Sequence, residues 1–135
     1  MRIRTLLVGA LAVVLPVVAG AGVYRGMRGA YTVAPGATAE HNVYAVSEFV
    51  AIAGELKEDL TAAGERIRLL GTIKKDALLA GSDIEIVGSV GEDLRFAGGD
   101  TMLMGSVGGD LAAVGGRIYL APGSSVARDT YIIGG

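Results

Sequence analysis

Asn42, Asp59, Asp76, Asp93 and Asp110 follow one another at intervals of 17 residues, and Asp129 continues the row after a two-residue insertion. A row of carboxylates at constant spacing supports two kinds of chemistry. Stacked one strand apart it can bind cations, because like charges about 4.8 Å apart at an effective dielectric of about 20 repel by roughly 3.5 kcal/mol until something relieves them. Alternatively each aspartate stands at a corner of the chain and accepts a hydrogen bond from a backbone N–H two residues further on, which stabilises the turn. Asn42 fills the first place without a charge and Asp is a favoured turn former, so the turn role is the expected one.

The other residues that carry chemistry are sparse. His41 is the one histidine, and it occupies the fifth place of a repeat in which the equivalent residues are Glu58, Lys75, Glu92, Gly109 and Arg128. That reads as a variable, solvated position. One imidazole cannot build a three-histidine zinc site, and no Ser/His/Asp set can be defended. The absence of cysteine excludes disulfides and thiolate metal sites. "GSVGEDLRFAGG" is rich in glycine, but no "GxxxxGK[ST]" or "GxGxxG" lies between a strand and a helix, and the nonapeptide calcium repeat is not matched. The expectation is a protein with no enzymatic activity, no cofactor and no metal. A net charge of −2, 5% aromatic residues and no tryptophan leave neither a basic surface nor stacking platforms, so no nucleic-acid partner is expected.

What positions the aspartates is an internal repeat. "GSVGEDLRFAGGDTMLM" at 88–104 is followed at once by "GSVGGDLAAVGGRIYLA" at 105–121. Reading backwards in the same register gives blocks at 71–87, 54–70 and, more weakly, 37–53, and a sixth begins at Ser124 after the insertion Pro122-Gly123. A glycine column accompanies the aspartates five residues later: Ser47, Gly64, Gly81, Gly98, Gly115 and Gly134. Seventeen residues are too few for the common helical repeats, and these glycines would weaken a helix. Apolar residues alternate inside each block, as Ile84 and Ile86 do around Glu85, which is the period of a strand. Three short strands with glycine corners use up one block and return the chain to its start, so each block forms one rung of a β-solenoid, stacked about 4.8 Å from the next. The inward columns are Leu56/Ile73/Val90/Val107/Val126, Leu60/Ala77/Leu94/Leu111, Ile67/Ile84/Ile118 and Ile52/Leu69/Ile86/Leu103/Leu120. No single rung can bury them; the stack does. Between rungs, Arg66 should face Asp83 and Arg68 should face Glu85.

The first residues have the layout of an export signal. Arg2 and Arg4 precede the apolar run "LLVGALAVVLPVV" at 6–18, and "AGA" at 19–21 is a small-residue cleavage pattern. Residues 1–21 are therefore expected to be a signal peptide or an uncleaved membrane anchor. Residues 22–36, closed by Pro35-Gly36, read as an exposed linker, and 37–135 as the solenoid domain.

The pattern G-[ST]-[VI]-x-x-D-[LA]-x-x-[AV]-G over 37–135 resembles the bactofilins, a polymer-forming cytoskeletal family of bacterial β-helix proteins. The resemblance implies an all-β, right-handed, single-stranded β-helix of about six rungs that joins end to end into filaments. It implies a scaffold role, with the chain itself as partner. Familiar bactofilins are cytoplasmic, whereas this chain starts with an export signal, so the expected place is the cell envelope, with membrane contact through the N-terminal segment if it is uncleaved. Two other readings share a solenoid: a left-handed β-helix acyltransferase, whose hexapeptide repeats give 18 residues per rung and usually a catalytic histidine, and a passive surface stalk or adhesin. The constant 17 argues against the first. The expected assembly edge is "DTYIIGG", where Tyr131, Ile132 and Ile133 offer an apolar, β-prone template with no polar cap and no charge after Asp129.

Overall fold

The computed structural model describes residues 22–134, and for residues 22–28 the backbone only. The expected export segment, residues 1–21, lies outside the described residues. Thirteen strands and no helix occur among the described residues. They are β1 (Gly22–Val33), β2 (Thr38–Ala39), β3 (Val43–Ile52), β4 (Glu55–Leu56), β5 (Leu60–Leu69), β6 (Thr72–Ile73), β7 (Ala77–Ile86), β8 (Ser89–Val90), β9 (Leu94–Leu103), β10 (Ser106–Val107), β11 (Leu111–Leu120), β12 (Ser125–Val126) and β13 (Thr130–Gly134). Odd-numbered strands form one parallel sheet in the order β1-β3-β5-β7-β9-β11-β13, and even-numbered strands form a second from β2 to β12. The fold is a β-solenoid. Its register is that of the sequence repeat, with Leu60 beside Ala77 beside Leu94 beside Leu111.

Each rung holds one ten-residue strand and one two-residue strand, where the sequence suggested three short ones. The long strand nevertheless serves two sides. In β5 the buried residues are Leu60 and Ala62, then Ile67 and Leu69, so the buried parity switches across Gly64. A strand that stays hydrogen-bonded while its inward side changes parity must turn a corner there. The half before the corner makes a first face, the half after it a second, and the two-residue strand a third. Inward columns from all three meet in one core, in which Ile52, Leu56, Ile67, Leu69, Ile73, Ile86, Leu94 and Leu103 are fully buried. Each such side chain contributes roughly 1.5–3 kcal/mol by leaving water, an amount no isolated rung could collect.

The rungs approach so closely at one corner that a side chain cannot fit. A Cβ on Gly71, Gly88 or Gly105 would run into the backbone carbonyl oxygen of the glycine one rung earlier. Here glycine is needed for space. Left-handed backbone closes two tight turns, at Gly36 and Gly123, with φ of 83° and 90°. Both follow proline in tight turns closed by Ala37 N–H to Ala34 C=O and by Ser124 N–H to Ala121 C=O, each 3.0 Å. These Pro-Gly insertions occupy the same corner before the rungs that begin at Ala37 and Ser124.

Two expectations are corrected. Residues 22–36 are not an exposed linker, because Gly22–Val33 is a strand paired in parallel with β3, from Gly22 beside Val43 to Val33 beside Ile52. Its register shifts between Gly26 and Ala30, and Gly29 takes a φ of 93° there. Ser47, buried where later rungs have glycine, donates its hydroxyl to the Gly29 carbonyl at 3.1 Å and so ties the irregular strand down. The long strand of the rung at 37–53 is thus covered by β1, while β2 is the outermost strand of its sheet among the described residues. The second correction is Leu120, placed in an inward column but 39% exposed. β13 pairs with Leu111–Gly115, and among the described residues no strand covers the second half of β11 on that side.

Candidate functional site

The aspartates stand between the two-residue strand and the long strand of each rung, and their hydrogen bonds run between rungs. Asn42 Oδ1 accepts from the Asp59 N–H at 3.1 Å, Asp59 from Asp76 at 3.0 Å, Asp76 from Asp93 at 2.8 Å, Asp93 from Asp110 at 2.8 Å, and Asp110 from Asp129 at 3.0 Å. The expected partner, an N–H two residues on in the same turn, is not the one used. The reason lies in the backbone. The carbonyl of each of these aspartates accepts from the previous rung, as Asp76 C=O does from Leu60 N–H at 2.9 Å. The chain bends at this corner, so the matching N–H finds no carbonyl below it, and the side chain supplies the acceptor. Asn42 can begin the ladder because an amide oxygen accepts as a carboxylate does.

Charge is balanced mostly from rung to rung. Arg66 lies 3.8 Å from Asp83 and Arg68 bonds Glu85 at 2.8 Å, as their spacing suggested. Arg117–Asp100 at 3.2 Å continues this second face. Lys74–Glu55 at 3.3 Å, Lys75–Glu58 at 2.7 Å and Lys57–Glu40 at 3.9 Å line the third side and its corner. The Glu58 carboxylate, by its hydrogen bond and its charge, raises the Lys75 amine above its ordinary value. Exposed pairs of this kind contribute about 0–1 kcal/mol each, so they mainly hold the register. His41 is exposed. Among the described residues no group of three or more His, Asp or Glu is arranged to hold a metal ion, and no helix is long and apolar enough to cross a membrane.

Tyr131, Ile132 and Ile133 are brought together on β13 but point in two directions. Ile132 stacks on Ala113 in an inward column, where it is the last residue over the core and 40% exposed. Tyr131 and Ile133 stack on Ala112 and Val114 and face outwards, 61% and 71% exposed. The Tyr131 hydroxyl donates to Asp129 Oδ2 at 3.3 Å, and the Asp129 charge raises the phenol above its ordinary value. β13 and β12 are the outermost strands of their sheets among the described residues.

Two features were missed from sequence. The outward columns of the first face are almost free of charge: Thr61, Leu78, Arg95, Ala112 and Tyr131 in one, and Ala63, Ala80, Ala97, Val114 and Ile133 in the other. They line a shallow apolar groove of about 460 Å³. Reading the outward places of the 17-residue register, as was done for the inward ones, would have found it. The second is Thr101, which replaces isoleucine in the Ile67/Ile84/Ile118 column and whose hydroxyl is buried without a hydrogen-bond partner. Comparison of the chain with family models, with characterised proteins and with solved structures finds no match in any of the three.

Proposed function

We propose that the protein is a non-enzymatic scaffold that assembles with copies of itself through the ends of its solenoid, resembling the polymer-forming bactofilins, and that it acts in the cell envelope. The observation that carries this reading is the outer surface of the last rung. Among the described residues β13 is the outermost strand of its sheet, with the backbone groups of its outer edge unpaired, beside Ile132 over the core and the 39% exposed Leu120. A further rung stacked there would satisfy the backbone edge and bury both side chains, which is the way each earlier rung is held. The same operation repeated at the β1 end would extend the stack. The repeat architecture, the ion pairs that serve register, and the lone exposed His41 fit a structural role. The basic start and apolar run of residues 1–21 support export and membrane contact.

The test is sedimentation of the full-length chain over a range of concentrations, compared with Ile132→Pro, which removes an edge N–H, and with Ile132→Asp, which keeps the N–H but puts a carboxylate over the core. Thermal melts followed by circular dichroism check that both variants stay folded. The parent is expected to grow with concentration and both variants to remain small. A parent that stays monomeric throughout, or variants that grow as the parent does, would remove this interface.

A further inference from the structure

The first face of the solenoid is complementary to itself. Its two outward columns lie two residues apart on the same strands, and in three successive rungs a large side chain in one column sits beside a small one in the other. Leu78 is followed by Ala80, Arg95 by Ala97, and Ala112 by Val114. In the first two rungs the first column is the ridge and the second the trough; in the third the order reverses. From β5 to β13 the two outward columns hold one charged residue, Arg95, and Asp93 lies 3.5 Å from its guanidinium; on β1 the register puts Arg25 in the second column. The second face, by contrast, carries Arg66, Arg68, Asp83, Glu85, Asp100 and Arg117 in ion pairs. Leu78 and Val114 are each 50% exposed; the second face also exposes Met102 and Tyr119, but there they stand among six paired charges, whereas the first face is nearly uncharged.

We propose that this face pairs with the same face of a second copy about a two-fold axis parallel to the solenoid, so that two solenoids lie side by side with their rungs in step. That operation sets each outward column against the other column of the partner in the same rung. Leu78 then meets Ala80 of the second copy, the Arg95 stem meets Ala97, and Val114 meets Ala112, large against small on these three rungs, while on the outermost described rung Tyr131 meets Ile133. A two-fold axis along the strands would instead set Leu78 against Arg95 and alanine against alanine, leaving ridges in collision and troughs empty. Small side chains at the centre let the two sheets approach within the usual spacing of about 10 Å.

The size of the face decides what such a contact can do. Five rungs at about 4.8 Å and four residues at about 3.3 Å give a patch roughly 19 Å by 13 Å. That is well below the about 800 Å² per partner of a stable isolated interface. A pair of single solenoids is therefore held weakly. When solenoids are joined end to end the face runs on from copy to copy, and the contact adds along the stack. The inference rests in this respect on the assembly reading above. Tyr131 and Ile133 belong to this lateral face and Ile132 to the end contact, so the two can be perturbed separately.

The chain has no cysteine, so single-cysteine variants report cleanly. Full-length Ala97→Cys, on the first face, and Asp83→Cys, on the second, are treated with a short bis-maleimide and the covalent dimers measured. Ala97→Cys is expected to give at least five-fold more dimer, and adding Ala80→Glu should abolish the excess while leaving the thermal melt unchanged. A mixture of Leu78→Cys and Ala80→Cys chains should cross-link better than either alone, as the parallel two-fold axis requires. Equal yields at positions 97 and 83, or an excess that survives Ala80→Glu, would overturn the proposal. So would protection of Ala97→Cys from a bulky maleimide without dimer formation. Protection only with anionic phospholipid vesicles would assign the face to a lipid surface, and protection without vesicles to residues 1–21. In an Ile132→Asp background the Ala97→Cys excess should fall but stay above the yield of Asp83→Cys, since single solenoids still meet weakly; an excess that does not fall would refute the summing of the contact along the stack. The presence of the Ala97→Cys dimer in a parent that never elongates refutes the end contact alone.

Discussion

The ladder of side-chain acceptors makes a sharp distinction between two substitutions at Asp93. Its Oδ1 accepts the Asp110 N–H at 2.8 Å, and its Oδ2 lies 3.5 Å from Arg95. Asp93→Ala leaves the Asp110 N–H without an acceptor at a corner where no backbone carbonyl replaces it. A hydrogen bond to a charged group contributes about 1.5–3 kcal/mol net, and the lower half applies because the Asp93 side chain is 32% exposed and water reaches part of the corner. Loss of the exposed Arg95 contact adds about 0–1 kcal/mol. The sum is about 2 kcal/mol, or a fall of roughly 1 M in the urea midpoint at a slope of about 2 kcal/mol/M. Asp93→Asn keeps the amide oxygen as acceptor, as Asn42 does for Asp59 at 3.1 Å, and removes one charge from a crowded row. It is expected within about 0.5 kcal/mol of the parent. The assay is urea unfolding followed by circular dichroism, with and without millimolar calcium. An alanine variant as stable as the parent, or an asparagine variant as weak as alanine, would refute the backbone-acceptor role. Calcium stabilisation of the parent that Asp93→Asn loses would favour a cation-binding ladder instead.

Thr101→Val should stabilise the fold by about 1–3 kcal/mol, because it removes a buried hydroxyl that has no partner while keeping the shape, and a raised melting temperature checks it. Gly88→Ala should destabilise by about 1–3 kcal/mol or more, since the added Cβ meets the Gly71 carbonyl and neither backbone can move without its whole rung. The Tyr131 phenol is raised by Asp129, so its contribution to stability is present below pH 10.0 and is lost as pH rises through the higher folded value. Asp129→Asn should bring the titration of that ring back towards 10.0, read by NMR of the tyrosine ring carbons. For export, Leu11→Asp with Val14→Asp should leave the full-length protein in the cytoplasm, because charges in an apolar segment cost a few kcal/mol on insertion; unchanged localisation by fractionation would remove the export reading.

Periodicity alone determined the solenoid. A 17-residue register carried by Asp59, Asp76, Asp93 and Asp110, with apolar residues alternating between them, allows only a stack of strand-built rungs, because no single rung can bury Leu69, Ile86 and Leu103 by itself. The same register placed Arg68 beside Glu85, since residues 17 apart become neighbours once rungs stack. What the register could not carry depended on contacts between rungs that need three dimensions. Gly22–Val33 lacks the repeat and reads as a loop, yet it becomes a strand because β3 offers it an edge and Ser47 anchors its irregularity. The aspartates have a corner to stabilise either way, and only the direction of the bend shows that their partner is the next rung's N–H rather than a local one. Tyr131, Ile132 and Ile133 look like one apolar run in the sequence. The pleat of β13 sends Ile132 to the core and its neighbours to the outer face, and that split separates an end contact from a lateral one.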